Sequence, residues 1–199
     1  MDKKIIITIG REFGSGGREV GVAVARKLGI PFYDKELLEE ASKKSGFCQE
    51  IFEKHDEKPV NSFLYALAMG ANHLSQNFQR PLMLEIYLAQ FDAMKKLAEQ
   101  GSGVFVGRCA DYVLADVPEA FHVFISADMD SRVQRISKKH NLSEKDALQL
   151  CLNKDKDRAS YYNYYANNKW GDSRHYDLCV NTSKFGIEGT AELIINCIK

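Results

Sequence analysis

Four glycines lie close together near the start of the chain, Gly10, Gly14, Gly16 and Gly17, in the run KIIITIGREFGSGGREVGVAVARKLG. Glycine lets a backbone take positive φ and bring its N–H groups against an anion, so the chemistry this spacing offers is the binding of phosphate. Residues 4–9 before the loop are β-branched and apolar, as a strand covered on both faces is, and residues 20–28 after it repeat apolar side chains at helical spacing. A helix opening there aims its first N–H groups and its partial positive charge at the same spot. An ordinary glycine-rich turn has the same composition; the strand before and the helix after favour the phosphate site.

The loop departs from the common GxxxxGK[ST] pattern, whose lysine reaches the β- and γ-phosphates and whose hydroxyl meets Mg2+. Aligning Gly16 with the glycine before the lysine puts Gly17 at the lysine and Arg18 at the hydroxyl; shifting by one puts Arg18 at the lysine and Glu19 at the hydroxyl. Arg18 can supply the missing cation, and Arg11 can reach the loop from its first turn, each as a fork-shaped donor rather than a compact charge. Ser15 is the only hydroxyl inside the loop and, with Asp34, is the candidate for holding Mg2+. Asp34 can equally serve as a helix cap.

Other residues join these. Arg108 follows Gly107 at the end of an apolar run, where a planar fork can clamp a phosphate or carboxylate; its plainer alternative is a surface pair with Asp111 or Glu119. Val106 stands where many nucleotide-binding enzymes carry an acidic metal ligand. In NKDKDRASYYNYYANNKWGD, Lys154 and Arg158 share a helical face at i,i+4, and such a cluster can neutralise charge on a transferred phosphate. The plainer reading is a solvated face with Asp155 and Asp157 interleaved; the neighbouring helix with Arg132 and Arg135 favours the functional one. Tyr161, Tyr162, Tyr164, Tyr165 and Trp170 either stack on a base or pack a lid against its body. The five histidines form no metal or triad pattern, and no nucleophile sits in a hydrolase motif.

The elements that must position these residues alternate. Strands are expected at residues 4–9, 30–33, 104–106, 121–126 and 177–181, and helices at 20–28, 34–45, 61–100 with a break at Arg80-Pro81, 110–114, from Asp128, from Ser143 as a cap, and at 187–198. Strands alternating with helices specify a parallel five-stranded sheet with helices on both faces, and ligands bind beyond the carboxyl ends of such strands. The glycine loop, Asp34, Gly107-Arg108 and residues 126–130 then gather on one rim. Residues 47–60 are charged and weakly patterned, as an exposed connection is.

Composition bounds the rest. The 199 residues, 45% hydrophobic, can bury a core as one domain. With 27 basic and 27 acidic residues the net charge is zero, so no global field recruits nucleic acid or an anionic membrane, and any anion site must be local. Five scattered cysteines, without a CxxC pair, fit reduced thiols, three of them in segments that read as buried. No signal peptide is visible and no apolar stretch nears the roughly 18 residues a membrane span needs, so a soluble, cytoplasmic protein is expected.

The segments ITIGREFGSGGREVG, PFYDKELL, GVFVGRCADYVL, FISADMDSRVQRI, DKDRASYYNYY and WGD followed by YDLCVNTS together resemble the cytidylate kinase-like branch of the nucleoside monophosphate kinases, over nearly the whole chain. The resemblance implies a P-loop NTPase-like three-layer α/β/α domain across residues 1–199, with a helical acceptor-binding insertion at about 47–100 and a lid at about 150–174. It implies ATP and Mg2+ as cofactors and a small-molecule nucleotide acceptor, most plausibly CMP or dCMP. By the same resemblance Gly10, Arg11 and Gly14 to Arg18 hold ATP phosphates, with Arg132 and Arg135, while Asp34 and Arg108 meet the acceptor. Arg18, Arg108 and Arg158 are the catalytic candidates. The chain departs from the family pattern at the loop lysine and hydroxyl, and at Lys35, Glu36, Leu37 and Leu38 after Asp34. A nucleotide-binding protein without transfer, or a kinase of another small molecule, are the alternatives on the same fold.

Overall fold

The computed structural model describes residues 4–34, 37, 40, 82–166 and 168–198. Five strands form one all-parallel sheet: β1 (Ile6–Arg11), β2 (Phe32–Tyr33), β3 (Gly103–Val106), β4 (Ala120–Ser126) and β5 (Leu178–Asn181), in the order β2-β3-β1-β4-β5. β1 is central, pairing Ile6 to Ile9 with Gly103 to Val106 on one side and Ile6 to Arg11 with Ala120 to Ile125 on the other. Ile6, Ile7, Thr8 and Ile9 are fully buried, as the continuous apolar run requires of a strand covered on both faces.

Two helical layers cover the sheet. On one face lie α1 (Gly17–Leu28) and the C-terminal helix α6 (Thr182–Ile198), packing Val20, Val24, Ala191 and Ile194 against Ile7, Ile9, Val104 and Val123. On the other lie α2 (Leu82–Gln100) and the short α3 (Ala110–Val113), packing Met94, Ala98, Val113 and Leu114 against Ile6 and Phe105. Each fully buried aliphatic side chain contributes about 1.5–3 kcal/mol, so these clusters fix the sheet's position between its layers. The remaining two α-helices, α4 (Met129–His140) and α5 (Glu144–Tyr165), pack on each other through Val133, Ile136, Ala147 and Cys151, with Phe13 of the glycine loop against them. They cover the loop.

Some expectations shift. β1 runs on through Gly10 and Arg11 because β4 continues to pair with it, Arg11 opposite Ile125. β2 keeps only Phe32 and Tyr33 of the four expected residues. α1 opens at Gly17, and α6 opens at Thr182 with a break at Gly186, where φ is +66°. The cap at Ser143 is present, its hydroxyl accepting the Asp146 N–H at 3.1 Å, and α5 continues through the whole charged and tyrosine-rich segment. Cys109 and Cys151 are buried; Cys179, on the edge strand β5, and Cys197 are exposed. The helix expected after Asp34, the connection at 47–60, Cys48 and the first part of the 61–100 helical region lie almost wholly outside the described residues. Among the described residues no helix is long and apolar enough to cross a membrane.

Candidate functional site

The chain leaves β1 at Arg11 and turns into α1 with Gly14 at φ +78° and Gly16 at φ +83°, both left-handed. At Gly16 a side chain would be strained by the backbone and would strike the Ile187 Cδ1 methyl, so the turn admits glycine alone. Val20 donates the first helical N–H back to Gly16, at 2.9 Å. The N–H groups of the first turn before it have no helical carbonyl to meet, which is what suits a helix N-terminus to an anion.

The loop is braced from behind. Ser15 is fully buried; its hydroxyl donates to the Glu12 carbonyl at 2.9 Å and accepts the Gly17 N–H at 3.3 Å, while its carbonyl accepts from Thr182 Oγ1 at 2.5 Å. The Ser15 hydroxyl, expected as a metal ligand, is here turned into the loop and bonded to the loop's own backbone. Arg132 is turned to the loop as well. Only 3% exposed, its guanidinium donates Nε to the Phe13 carbonyl at 2.8 Å and pairs with Asp155 and, at 3.4 Å, with Glu12. Asp155 Oδ1 accepts the Phe13 N–H at 2.7 Å, and Glu12 Oε2 accepts the Ala127 N–H at 3.0 Å. Arg132 thus holds the shape of the loop. Arg135, one turn on, donates to the Gly14 carbonyl and does line the cleft.

The cleft in front of the loop encloses about 240 Å³. Gly14, Gly16, Gly17, Arg11, Arg18, Asp34, Arg135 and Arg158 all reach its wall, so most of the expected phosphate-site residues converge there. Arg158 Nη1 donates to the Arg11 carbonyl at 3.2 Å, and its guanidinium lies 5.6 Å from the Phe13 ring centre. The helical face that turns to the loop carries Asp155 and Arg158, at i,i+3; Lys154, expected to share that work, is exposed. At the strand ends opposite, Asp34 joins two arginines: Arg18 Nε donates to Oδ2 at 2.7 Å and Arg108 Nη1 to Oδ1 at 3.2 Å. Arg108 is buried, with a second bond to the Val106 carbonyl at 3.3 Å. The plainer alternative, a surface arginine, is not how it sits.

Gly107, Arg108 and Cys109 follow one another in left-handed conformations, φ +75°, +52° and +57°. Such backbone costs of order 1 kcal/mol or more per non-glycine residue and persists where surrounding structure enforces it, as it does here to point Arg108 back at Asp34. Burial pushes the Asp34 carboxyl pKa up, but the Arg108 charge, the bonds from Arg18 and Arg108, and the Arg11 charge outweigh it. The net shift is downward.

The sequence model of the Cytidylate kinase-like family matches residues 6–184. The chain belongs to this family. The chain is also similar to proteins of known name: it is 31% identical over 109 residues, 54% of its length, to a cytidylate kinase of Methanothrix thermoacetophila, of which the match spans 61%. It is 24% identical over 197 residues to a cytidylate kinase of Methanocaldococcus jannaschii, covering 98% of this chain and 97% of that one. Among solved structures, an uncharacterized protein from Eubacterium ventriosum superposes with a TM-score of 0.75 at 34% identity, covering 98% of each chain. A shikimate kinase from Bacteroides thetaiotaomicron superposes at 0.58 with 14% identity over 98% of this chain and 99% of that one, a likeness of fold. The five-stranded parallel sheet with its glycine loop is accordingly the P-loop kinase architecture.

On this family fold a second, smaller cavity opens beyond the first, with Arg11 and Arg158 in the walls of both. Arg108, Asp111, Tyr162 and Tyr176 line it. Tyr162 Oη donates to Asp111 Oδ2 at 2.5 Å; burial raises the Asp111 pKa, and this bond only partly offsets the rise. The other tyrosines pack: Tyr87 of α2 stacks on Tyr165 at 3.9 Å, Tyr161 Oη donates to Gln90 Oε1 at 3.2 Å, and Trp170 meets Phe124 edge-on at 5.4 Å. Tyr161 and Tyr165 thus pack α5 against α2, and Trp170 packs on β4.

The sequence reading missed Glu12 and Asp155, the two carboxylates that fix the loop. The available signal was the i,i+3 spacing of Asp155 and Arg158, which on a helix puts them on one face. The partners themselves come from the fold.

Proposed function

We propose that this chain is an ATP-dependent phosphotransferase that moves a phosphoryl group to a nucleoside monophosphate, CMP or dCMP in the first instance, in the cytoplasm. The observation that carries the reading is the convergence on one cleft of the loop, the start of α1, Arg18, Arg135 and Arg158, with the Asp34–Arg108 pair at the facing strand ends. The family relatives named as cytidylate kinases support the acceptor.

Transfer of this kind needs in-line positioning and charge neutralisation, with no covalent intermediate on the protein. The loop N–H groups and Arg135 would hold the donor phosphates; Arg108 would bind the acceptor's phosphate; Arg18 and Arg158, lying between, would carry the charge that spreads over the transferred group. Arg158 sits in the walls of both cavities, where a group passing between them must be neutralised. Residues 47–100, including α2, would serve as the acceptor lobe and 150–174 as the lid.

For Mg2+, the donor set is spare. Among the described residues no group of three or more His, Cys, Asp or Glu side chains could hold a metal, Ser15 is turned inward, and Val106 stands in the cleft wall with no carboxylate. Asp34 is the remaining candidate, and it fits an ion that keeps most of its waters and arrives on the nucleotide. When bound, Mg2+ supplies neutralisation of the β- and γ-phosphate charge. Asp34 would meet one of its waters while Arg18 and Arg108 hold the carboxylate in place.

The test is ADP release by the purified protein with Mg2+ and ATP across CMP, dCMP, UMP, AMP and GMP. Release that depends on CMP or dCMP supports the reading. Saturable ATP binding with no ADP from any acceptor selects a nucleotide-binding protein, the reading favoured by glycine at the lysine position; turnover with a different metabolite selects a small-molecule kinase.

A further inference from the structure

Two of the three places where the loop breaks the phosphate-loop pattern touch each other. With Gly16 as the glycine before the lysine, Gly17 stands at the lysine and Arg11 at the first glycine, five residues earlier. A Cβ built on Gly17 would lie 2.6 Å from Arg11 Cβ, 3.1 Å from Arg11 Cγ and 3.3 Å from Ile125 Cβ. No side chain fits at position 17 while the Arg11 stem lies there, and the backbone-paired end of β1, Arg11 opposite Ile125, holds that stem in place. A glycine at position 11 would vacate that space.

We propose that the two positions have exchanged roles, so that Arg11, entering from the end of β1, takes the place of the loop lysine and donates to the β- and γ-phosphates of a bound nucleoside triphosphate. Arg11 lines the cleft in front of the loop, beside Gly16 and Gly17. Arg18, the other candidate for the missing cation, is committed elsewhere: its Nε donates to Asp34 and its guanidinium lies 5.5 Å from the Phe32 ring centre, toward β2. Arg18 is thus held toward β2 by Asp34 and Phe32, while the Arg11 stem lies against Gly17 at the loop itself. The change of residue type follows from the change of origin. A lysine on α1 reaches the phosphates as a point charge, whereas a guanidinium arriving from the strand side can grip two phosphate oxygens at once.

This inference rests on the reading of the cleft as an ATP site, and its test separates the two. ATP is titrated calorimetrically, without acceptor, into wild type, Arg11→Met, Arg11→Gly, Gly17→Lys and the double variant Arg11→Gly/Gly17→Lys. Arg11→Met keeps the stem over Gly17 and removes only the charge, so it stays folded if Arg11→Gly does not. Loss of charge-assisted bonds to phosphate weakens ATP binding at least about tenfold in Arg11→Met and Arg11→Gly. Gly17→Lys alone also loses affinity, for want of room, and the double variant regains at least about half of the lost binding free energy by restoring the common pattern. Arg11→Met that binds ATP within about twofold of wild type overturns the exchange, as does a double variant no better than either single one. Wild-type protein that binds no ATP overturns both the exchange and the function proposed above.

Discussion

Asp155 on α5 accepts the Phe13 N–H at 2.7 Å, so the helix that covers the glycine loop is fastened to the loop's own backbone. The same carboxylate holds Arg132, whose guanidinium is 3% exposed and also donates to the Phe13 carbonyl. Loop shape and helix position are one arrangement.

Removing Asp155 leaves Arg132 buried with its bond to the Phe13 carbonyl and, of the two carboxylates, only the longer contact to Glu12 at 3.4 Å. Asp155→Ala should lower the unfolding free energy by about 3 kcal/mol, the scale of a broken buried ion pair, read from urea denaturation. Asp155→Asn, which keeps an acceptor for the Phe13 N–H, should lose less. Equal stability of Asp155→Ala and wild type would show that the cluster contributes nothing to the loop.

Asp34 gives a pH signature. Its folded carboxyl titrates below the ordinary 3.8, so its ionisation favours folding. That contribution is fully present above 3.8 and is lost as pH falls through the lower folded value. The stability difference between wild type and Asp34→Asn, measured by chemical denaturation at several pH values, should be constant at neutral pH and shrink below 3.8. A difference that grows on acidification would contradict the pairing with Arg18 and Arg108.

Asp111 behaves in the opposite sense. Burial raises its pKa, so its ionised form opposes folding, and stability is gained as pH falls through the raised folded value toward 3.8. Tyr162→Phe removes the hydroxyl that donates to Oδ2 and should cost about 1–3 kcal/mol at neutral pH. The cost should diminish as the carboxyl takes up a proton on acidification. A loss independent of pH would point to packing alone.

How far the sequence carries these features depends on their range along the chain. Gly14 and Gly16 were legible because the left-handed turn between a strand and a helix is written in adjacent residues. Arg108 was legible as a residue placed at a strand end, but its partner Asp34 was not, because that pairing spans 74 residues and depends on β2 lying beside β3. The loop braces span still more: 142 residues from Phe13 to Asp155 and 167 from Ser15 to Thr182. Pattern within a segment says that Asp155 lies on a helix; only the packing of α4 and α5 over the loop says which face of that helix is inward. The bonds of Ser15 were hidden for the same reason, since the sequence shows a hydroxyl in a glycine loop but not that the turn's own backbone uses it. The tyrosines, by contrast, reveal their packing role through α2, whose partner face holds Tyr87 and Gln90.

Arg18 joins the loop's first turn to Asp34 with a side chain that is 53% exposed, so its truncation disturbs little of the core. Arg18→Ala should unfold at the wild-type temperature and lose phosphoryl transfer by about a hundredfold, the scale of removing one preorganised cation from a developing charge. Near-normal turnover would remove Arg18 from the machinery.

The most direct test is transfer of labelled phosphate from γ-labelled ATP, with Mg2+, to CMP or dCMP, with the nucleotide products separated. The account predicts labelled CDP or dCDP in equal amount to the ADP formed, abolished in Arg158→Ala while that variant keeps its fold. Label released only as inorganic phosphate, or no transfer to either nucleotide by protein that binds ATP, would contradict it.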